Sequence, residues 1–73
     1  MRGLASTEGE GRERLYAKVR AGFVLRGTNL TRWSRHRGLQ HTNVRAAIIG
    51  TWRGPKAEEV AAQAIRESGA DAL

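Results

Sequence analysis

Regularly placed glycines divide the chain into short segments, and this constrains its fold more than any other feature. Gly27, Gly38, Gly50 and Gly69 each follow a stretch whose apolar residues recur with the period of an α-helix. Glycine readily takes the left-handed conformation that ends a helix, and no strand-like alternation of apolar and polar residues appears. The sequence therefore predicts an all-α fold, a compact four-helix domain. The predicted helices cover residues 12–26, 30–37, 41–49 and 55–68.

The residues at the predicted helix starts differ in their capping ability. Asn29 is a good N-cap, because its side chain can accept a hydrogen bond from a free backbone amide. Pro55 suits the first position of the fourth helix, where the missing amide has little consequence. Gln40 is a poor N-cap for the third helix. The second and fourth helices thus have a start signal that the third lacks.

The two ends of the chain differ in composition from its middle. Residues 1–11 contain three glycines and few large apolar groups, so burial cannot repay the entropy of ordering them. We predict a flexible N-terminal arm over residues 1–11, one domain over residues 12–68 and a C-terminal tail over residues 69–73. A chain of 73 residues without cysteine can form only a small core and no disulfide, so packing alone must stabilise the domain.

The predicted core combines the apolar faces of all four helices. Trp33 lies at a core position, where its large side chain would be buried by packing. Arg37, one turn further on, would lay its aliphatic stem along the core and keep its guanidinium in solvent. The predicted core residues are Leu15, Val19, Phe23, Leu30, Trp33, Leu39, Val44, Ile48, Val60, Ala61 and Ile65.

The charges are distributed unevenly, with the acidic residues confined to the two ends of the chain. No Asp or Glu lies between Arg14 and Ala57. The ten basic residues of this stretch are Arg14, Lys18, Arg20, Arg26, Arg32, Arg35, Arg37, Arg45, Arg53 and Lys56. A folded segment of this kind repels itself, and a polyanion would relieve the repulsion. The charge pattern therefore favours a nucleic-acid partner over a basic protein that is merely soluble.

The spacing of residues in the centre of the chain is typical of a helix-turn-helix, whose second helix enters the major groove of DNA. Such a pair needs a small residue where the helices cross, a glycine at the turn, and apolar residues that fix the interhelical angle. Counted from Leu30, the residues at these positions are Trp33, Ser34, Gly38, Leu39, Val44 and Ala47. Because the acid-free basic stretch surrounds this pattern, the two features together predict DNA binding.

Two stretches, "RGTNLTRWSRHRGLQHTNVRAAI" and "GPKAEEVAAQAI", resemble small phage and prophage regulators of the Ner type and, more loosely, Cro-like and repressor-like proteins. The resemblance covers about residues 15–67. In such proteins a "G-T/S-x-L-x-x-W/L-S/A" helix precedes a "G-L-x-x-x-x-V" recognition helix, and a "P-K-x-E-x-x-x-A-x-A-I" helix packs behind them. The resemblance implies sequence-specific binding of double-stranded DNA and regulation of transcription, without enzymatic activity.

The third predicted helix provides the candidate residues for recognising DNA bases. Its inward residues would be Val44, Ala47 and Ile48, so its other side and its start would face the groove. Arginine can bond to guanine, asparagine or glutamine to adenine, and small side chains can touch the thymine methyl group. The predicted base-readout residues are Gln40, His41, Thr42, Asn43, Arg45, Ala46 and Ile49. The predicted phosphate contacts are Arg32, Arg35, Arg53 and Lys56.

Several alternatives stay open at the level of the sequence. Trp52 either covers the edge of the core between the third and fourth helices or lies against DNA. Ala17, Ala21 and Val24 form a second stripe on the first helix, which is either simply exposed or a dimer contact, and a homodimer on a palindromic site is one option. The basic surface would also suit an architectural or recombination-directing DNA-binding factor, or a module that docks on an acidic protein.

The sequence lacks the residue patterns of enzymes and of metal sites. No paired carboxylates, nucleophile with a base or phosphate-cradling glycine loop can be assembled, and His36 and His41 have no acidic or cysteine neighbours to complete a metal site. We therefore predict no catalysis, cofactor, metal or small-molecule ligand. No run approaches the ~20 apolar residues of a membrane helix, and the first residues have no apolar signal core. We expect a cytoplasmic, nucleoid-associated bacterial protein without a membrane partner.

Overall fold

The structure, a computed structural model, describes the backbone of residues 2–73 and the side chains of residues 10–73. Within this part the chain forms four α-helices and no β-strand, which confirms the predicted all-α class. The helices are α1 (Arg2–Leu25), α2 (Leu30–His36), α3 (His41–Ile49) and α4 (Pro55–Ser68), and a 3-10 turn follows at Ala70–Ala72.

Local chemistry explains most of the helix ends. The Asn29 side chain accepts a hydrogen bond of 2.8 Å from the Arg32 amide and so caps α2 as predicted, whereas Gln40 makes no side-chain cap at α3. Gly38, with φ of +69°, lies in the left-handed region in the turn after α2. Helix α2 ends at His36, one residue before the predicted end, because Arg37 already has the non-helical conformation of a C-cap.

The predicted start of the first helix at residue 12 is wrong, since the helical backbone of α1 begins at Arg2. The glycines of residues 2–11 weaken a helix by about 1 kcal/mol each but do not block it, and this stretch contains no proline. Glu10 and Arg14 approach to 4.0 Å across the expected boundary, as i,i+4 partners do in a continuous helix. The flexibility of residues 1–11 stays a prediction, because Met1 and the side chains of residues 2–9 lie outside the described part.

The core lies between α1, α3 and α4, with α2 closing one side. Phe23 of α1 stacks on Trp33 of α2 with 5.1 Å between ring centroids, so Trp33 is buried as predicted. Seven of the predicted core residues are buried, and the other four pack against them while partly exposed: Leu15, Leu39, Ala61 and Ile65. The buried apolar residues are Val19, Phe23, Leu30, Trp33, Val44, Ala47, Ile48, Ala57, Val60, Ala64 and Ala70.

Helices α1 and α4 are in backbone contact at Gly22. A Cβ atom at this position would lie only 2.9 Å from the carbonyl carbon of Ser68, so only glycine fits here. The Arg26 guanidinium also donates a hydrogen bond of 3.1 Å to the Ser68 carbonyl oxygen. After Ser68 the chain stays against the domain, because Ala70 is buried and the 3-10 turn packs against α1.

Candidate nucleic-acid interface

Helix α3 is anchored by one apolar side and presents polar residues at its N-terminal end. Val44, Ala47 and Ile48 are buried against the neighbouring helices, as predicted. Five of the seven predicted base-readout residues are exposed, namely Gln40, His41, Thr42, Asn43 and Arg45. Ala46 and Ile49 are half-buried, so the C-terminal half of α3 is less accessible than its pattern indicated. The accessible polar surface of α3 is therefore concentrated in its first turn and the residue before it.

The turn between α2 and α3 is held by hydrogen bonds to Ser34. This residue is fully buried, and its hydroxyl donates a hydrogen bond of 2.7 Å to the Leu30 carbonyl one turn earlier. The Ser34 carbonyl in turn accepts a hydrogen bond of 2.9 Å from the Leu39 amide, across the turn. A larger side chain at Ser34 would have no room, and the turn would lose its fixed geometry. The exposed start of α3 is thus presented on a rigid support.

A polar cluster fastens α2 to α4. The Trp33 indole donates a hydrogen bond of 3.0 Å to Glu67, and the Arg37 guanidinium forms an ion pair with the same carboxylate. Arg37 also donates a hydrogen bond of 3.1 Å to Gln63 and lies 5.2 Å from the Trp33 ring centroid. The hydrogen bond from the indole, which has the larger effect, and the hydrogen bond from the guanidinium hold the pKa of the Glu67 carboxyl below its ordinary value. The charge of Arg37 is therefore partly neutralised by Glu67, and the sequence did not indicate this ion pair.

Most of the basic residues in the acid-free stretch keep an unpaired charge in the described part of the chain. Ion pairs there join Arg14 to Glu10, Arg37 to Glu67 and Lys56 to Glu59. The seven other basic residues of the stretch have no ion-pair partner among the described residues: Lys18, Arg20, Arg26, Arg32, Arg35, Arg45 and Arg53. Folding therefore relieves little of the positive charge that the sequence concentrates here.

The four predicted phosphate contacts differ in their surroundings. Arg32 and Arg35 are exposed on α2, and Arg53 is exposed beyond the C-terminal end of α3, where it donates a hydrogen bond of 3.3 Å to the Gly50 carbonyl. Lys56 lies 3.4 Å from Glu59 on the same turn of α4. Because both side chains of this pair are exposed, the pairing is weak and Lys56 can still meet an anion.

A second basic cluster, formed by Arg20 and Arg45 around Tyr16, joins α1 to α3. It was not predicted from the sequence. The guanidinium carbon of Arg45 lies 5.4 Å from the Tyr16 ring centroid, and that of Arg20 lies 5.8 Å from the same centroid. Both distances are within the range of cation–π attraction. Arg45 thus lies on the flank of α3 that faces α1. The i,i+4 spacing of Tyr16 and Arg20 was the only signal in the sequence, since no pattern within α3 indicates an aromatic partner for Arg45.

A groove of about 390 Å³ runs from this cluster to the starts of α2 and α3. Tyr16, Arg20 and Val24 line it from α1, while Thr31 and His41 line it from the other two helices. The groove therefore connects one of the predicted base-readout residues to the basic cluster. Trp52 lies elsewhere, half-buried against the core where α3 leads into α4, as expected for a residue that covers this edge.

Two further features of the described residues bear on function. No helix among them is long and apolar enough to cross a membrane. No group of three or more histidine, aspartate or glutamate side chains in this part converges as metal ligands would.

Comparisons with protein-family models, with curated proteins and with solved structures gave no match to this chain.

Proposed function

We propose that this protein is a sequence-specific binder of double-stranded DNA that places the start of α3 in the major groove. In this proposal α2, the turn at Gly38 and α3 form a helix-turn-helix. Gln40, His41, Thr42 and Asn43 recognise bases there, because amide and hydroxyl groups can bond to base edges in the major groove.

The observation that carries the proposal is the combination of shape and charge at this end of the domain. Four consecutive exposed polar residues stand at the start of a helix whose other side is packed into the core. Arginines without an ion-pair partner among the described residues lie on the helix before it, at Arg32 and Arg35, and just after its end, at Arg53. Basic side chains in these places can hold phosphates on either side of a groove and so fix the position of the reading residues.

The biological role that we propose is regulation of transcription by occupation of a promoter site. The resemblance to Ner-type phage and prophage regulators supports this role, because it covers the residues that form α2, the turn, α3 and α4. A cytoplasmic location on the nucleoid, and a homodimer if the site is a palindrome, belong to the same proposal. The proposed activity is binding alone and includes no catalytic step.

Selection of bound duplexes from a random pool tests the proposal directly. We expect the full chain to enrich one defined sequence, and a footprint on that sequence to protect it. Affinity for the selected duplex should fall linearly with the logarithm of salt concentration, with a slope of about 0.9 per phosphate and roughly four to seven phosphates contacted. Enrichment of no sequence, together with a slope near zero, would contradict the proposal.

Two variants separate base recognition from phosphate binding. Asn43→Ala should lower affinity for the selected duplex by ~1–3 kcal/mol and relax the base preference at one position, with less effect on random duplex. Arg35→Gln should weaken both duplexes about equally and lower the salt slope by about one. If both variants weaken the two duplexes equally, α3 does not recognise bases. An acidic protein as partner, or strong bending of the selected DNA in a gel, would favour one of the alternative functions instead.

A further inference from the structure

We infer that Arg20, Tyr16 and Arg45 form a phosphate clamp, which extends the DNA-binding surface from α3 onto α1 and makes Arg45 a backbone ligand. This inference rests on the proposed function. It changes the role that the sequence alone predicts for Arg45, from contact with a base to contact with a phosphate.

The fold brings the two guanidinium groups to one place. They belong to different helices, yet both lie against the same aromatic ring, at 5.8 Å for Arg20 and 5.4 Å for Arg45. The ring attracts each cation and restricts its side chain, so that less conformational freedom is lost when an anion binds. The two guanidinium groups therefore lie around one ring, where both can serve the same stretch of a DNA backbone.

The two arginines lack a counter-charge in the described part of the chain. Neither arginine has an ion-pair partner among the described residues, and the sequence has no acidic residue from 15 to 57. Two like charges held near one ring repel each other, and a phosphate would turn this repulsion into attraction. The planar guanidinium fork matches the oxygen atoms of a phosphate in paired hydrogen bonds.

The cluster is continuous with the proposed recognition surface. The groove beside Tyr16 and Arg20 is also lined by His41, the first residue of α3. A DNA strand whose bases face the start of α3 would therefore continue along this groove. Tyr16 holds Arg45 on the flank of α3. The Arg45 guanidinium is therefore directed to the DNA backbone at the edge of the major groove and away from the base edges.

The test compares Arg20→Gln and Arg45→Gln with Lys18→Gln as a matched control. Lys18 carries the same charge on the same helix, but it lines a different surface, next to Ala70 and Leu73. We expect each arginine variant to lose about tenfold in affinity for selected and random duplex alike, with an unchanged base preference, while Lys18→Gln stays near the wild type. The double variant should lose less than the product of the two single losses, because both groups are positioned by the same ring and serve the same stretch of backbone.

Tyr16 supplies a second measurement. Tyr16→Phe keeps the aromatic ring and should bind DNA nearly as the wild type does, whereas Tyr16→Leu removes the ring's attraction and should lower affinity in the same sequence-independent way. Circular dichroism checks that each variant remains helical. If Tyr16→Leu unfolds, the comparison of the arginine variants with Lys18→Gln still decides the question.

The possible outcomes distinguish this inference from the proposed function. A wild-type chain that selects no DNA sequence defeats the proposed function and this inference with it. A wild-type chain that selects a sequence, with Arg20→Gln and Arg45→Gln no weaker than Lys18→Gln, overturns the clamp alone. The clamp is also overturned if Arg45→Gln relaxes the base preference at one position, or if the two arginine losses simply multiply.

Discussion

Replacing Gly22 by alanine tests the close contact between α1 and α4 that supports the whole domain. The added Cβ would lie 2.9 Å from the Ser68 carbonyl carbon and closer still to its oxygen, whereas Cβ atoms essentially never come within 3.0 Å of another heavy atom. The obstructing atoms belong to the backbone, so no side-chain rotation can relieve the clash. Helices α1 and α4 must therefore separate at this point.

The expected loss can be worked out from three contributions. Overpacking at a close helix contact costs about 1–3 kcal/mol, and loss of the 3.1 Å hydrogen bond from Arg26 to the Ser68 carbonyl adds about 1 kcal/mol. Alanine offsets about 1 kcal/mol of this, since it favours the helical conformation more than glycine does. We expect Gly22→Ala to lower the free energy of unfolding by about 2 kcal/mol, a large part of the total for so small a domain.

Gly11→Ala is the matched control, because this glycine lies on the same helix with nothing within 4 Å of an added Cβ. Here the helical preference of alanine acts alone, so the free energy of unfolding should rise by about 0.5–1 kcal/mol. Urea denaturation followed by circular dichroism measures both changes, and thermal melting should show a loss of about 10 °C for Gly22→Ala. The two substitutions should thus have opposite signs.

Either result can refute the reasoning. If Gly22→Ala is as stable as the wild type, α1 and α4 are not in backbone contact at Ser68. If Gly11→Ala does not raise the free energy of unfolding, the helix that begins at Arg2 is not populated around residue 11 in solution. That result would support the sequence prediction of a flexible arm.

Two further predictions concern the polar contacts. Since the pKa of Glu67 is lowered by hydrogen bonds from Trp33 and Arg37, its contribution is fully present above the ordinary carboxyl pKa and is lost as pH falls through the lowered value. Glu67→Gln should therefore flatten the acid side of the stability–pH curve, and an unchanged curve would show that this cluster contributes no pH dependence. Asn29→Ala should lower the free energy of unfolding in urea by about 1 kcal/mol through loss of the α2 cap, whereas Asn29→Asp should keep it; equal losses would mean that capping is not the cause.

The sequence by itself determined the ends of α2, α3 and α4 and the C-terminal end of α1 to within one residue, together with the apolar sides of the helices. These features depend on interactions within a few residues, such as the cap at Asn29, the proline that begins α4 and the glycines with positive φ. The core-facing residues of α3, Val44, Ala47 and Ile48, could be predicted for the same reason, because they recur at the helical period. The polar residues at 40–43 are all exposed, which the period alone does not explain, since it places Gln40 and His41 on the same side as the buried Val44.

Only the tertiary structure decided which distant residues meet. Glu67 reaches Trp33 across 34 positions of sequence, and Tyr16 lies beside Arg45 because α1 and α3 pack together. Such pairings depend on the angles at which the helices cross, and the apolar period of a single helix does not determine these angles. The same holds for Gly22, where the backbone of α4, and not the residue's own helix, leaves no room for a side chain. For this reason the sequence indicates which residues of α3 face the core, while the flank on which Arg45 lies follows only from the packing of α1 against it.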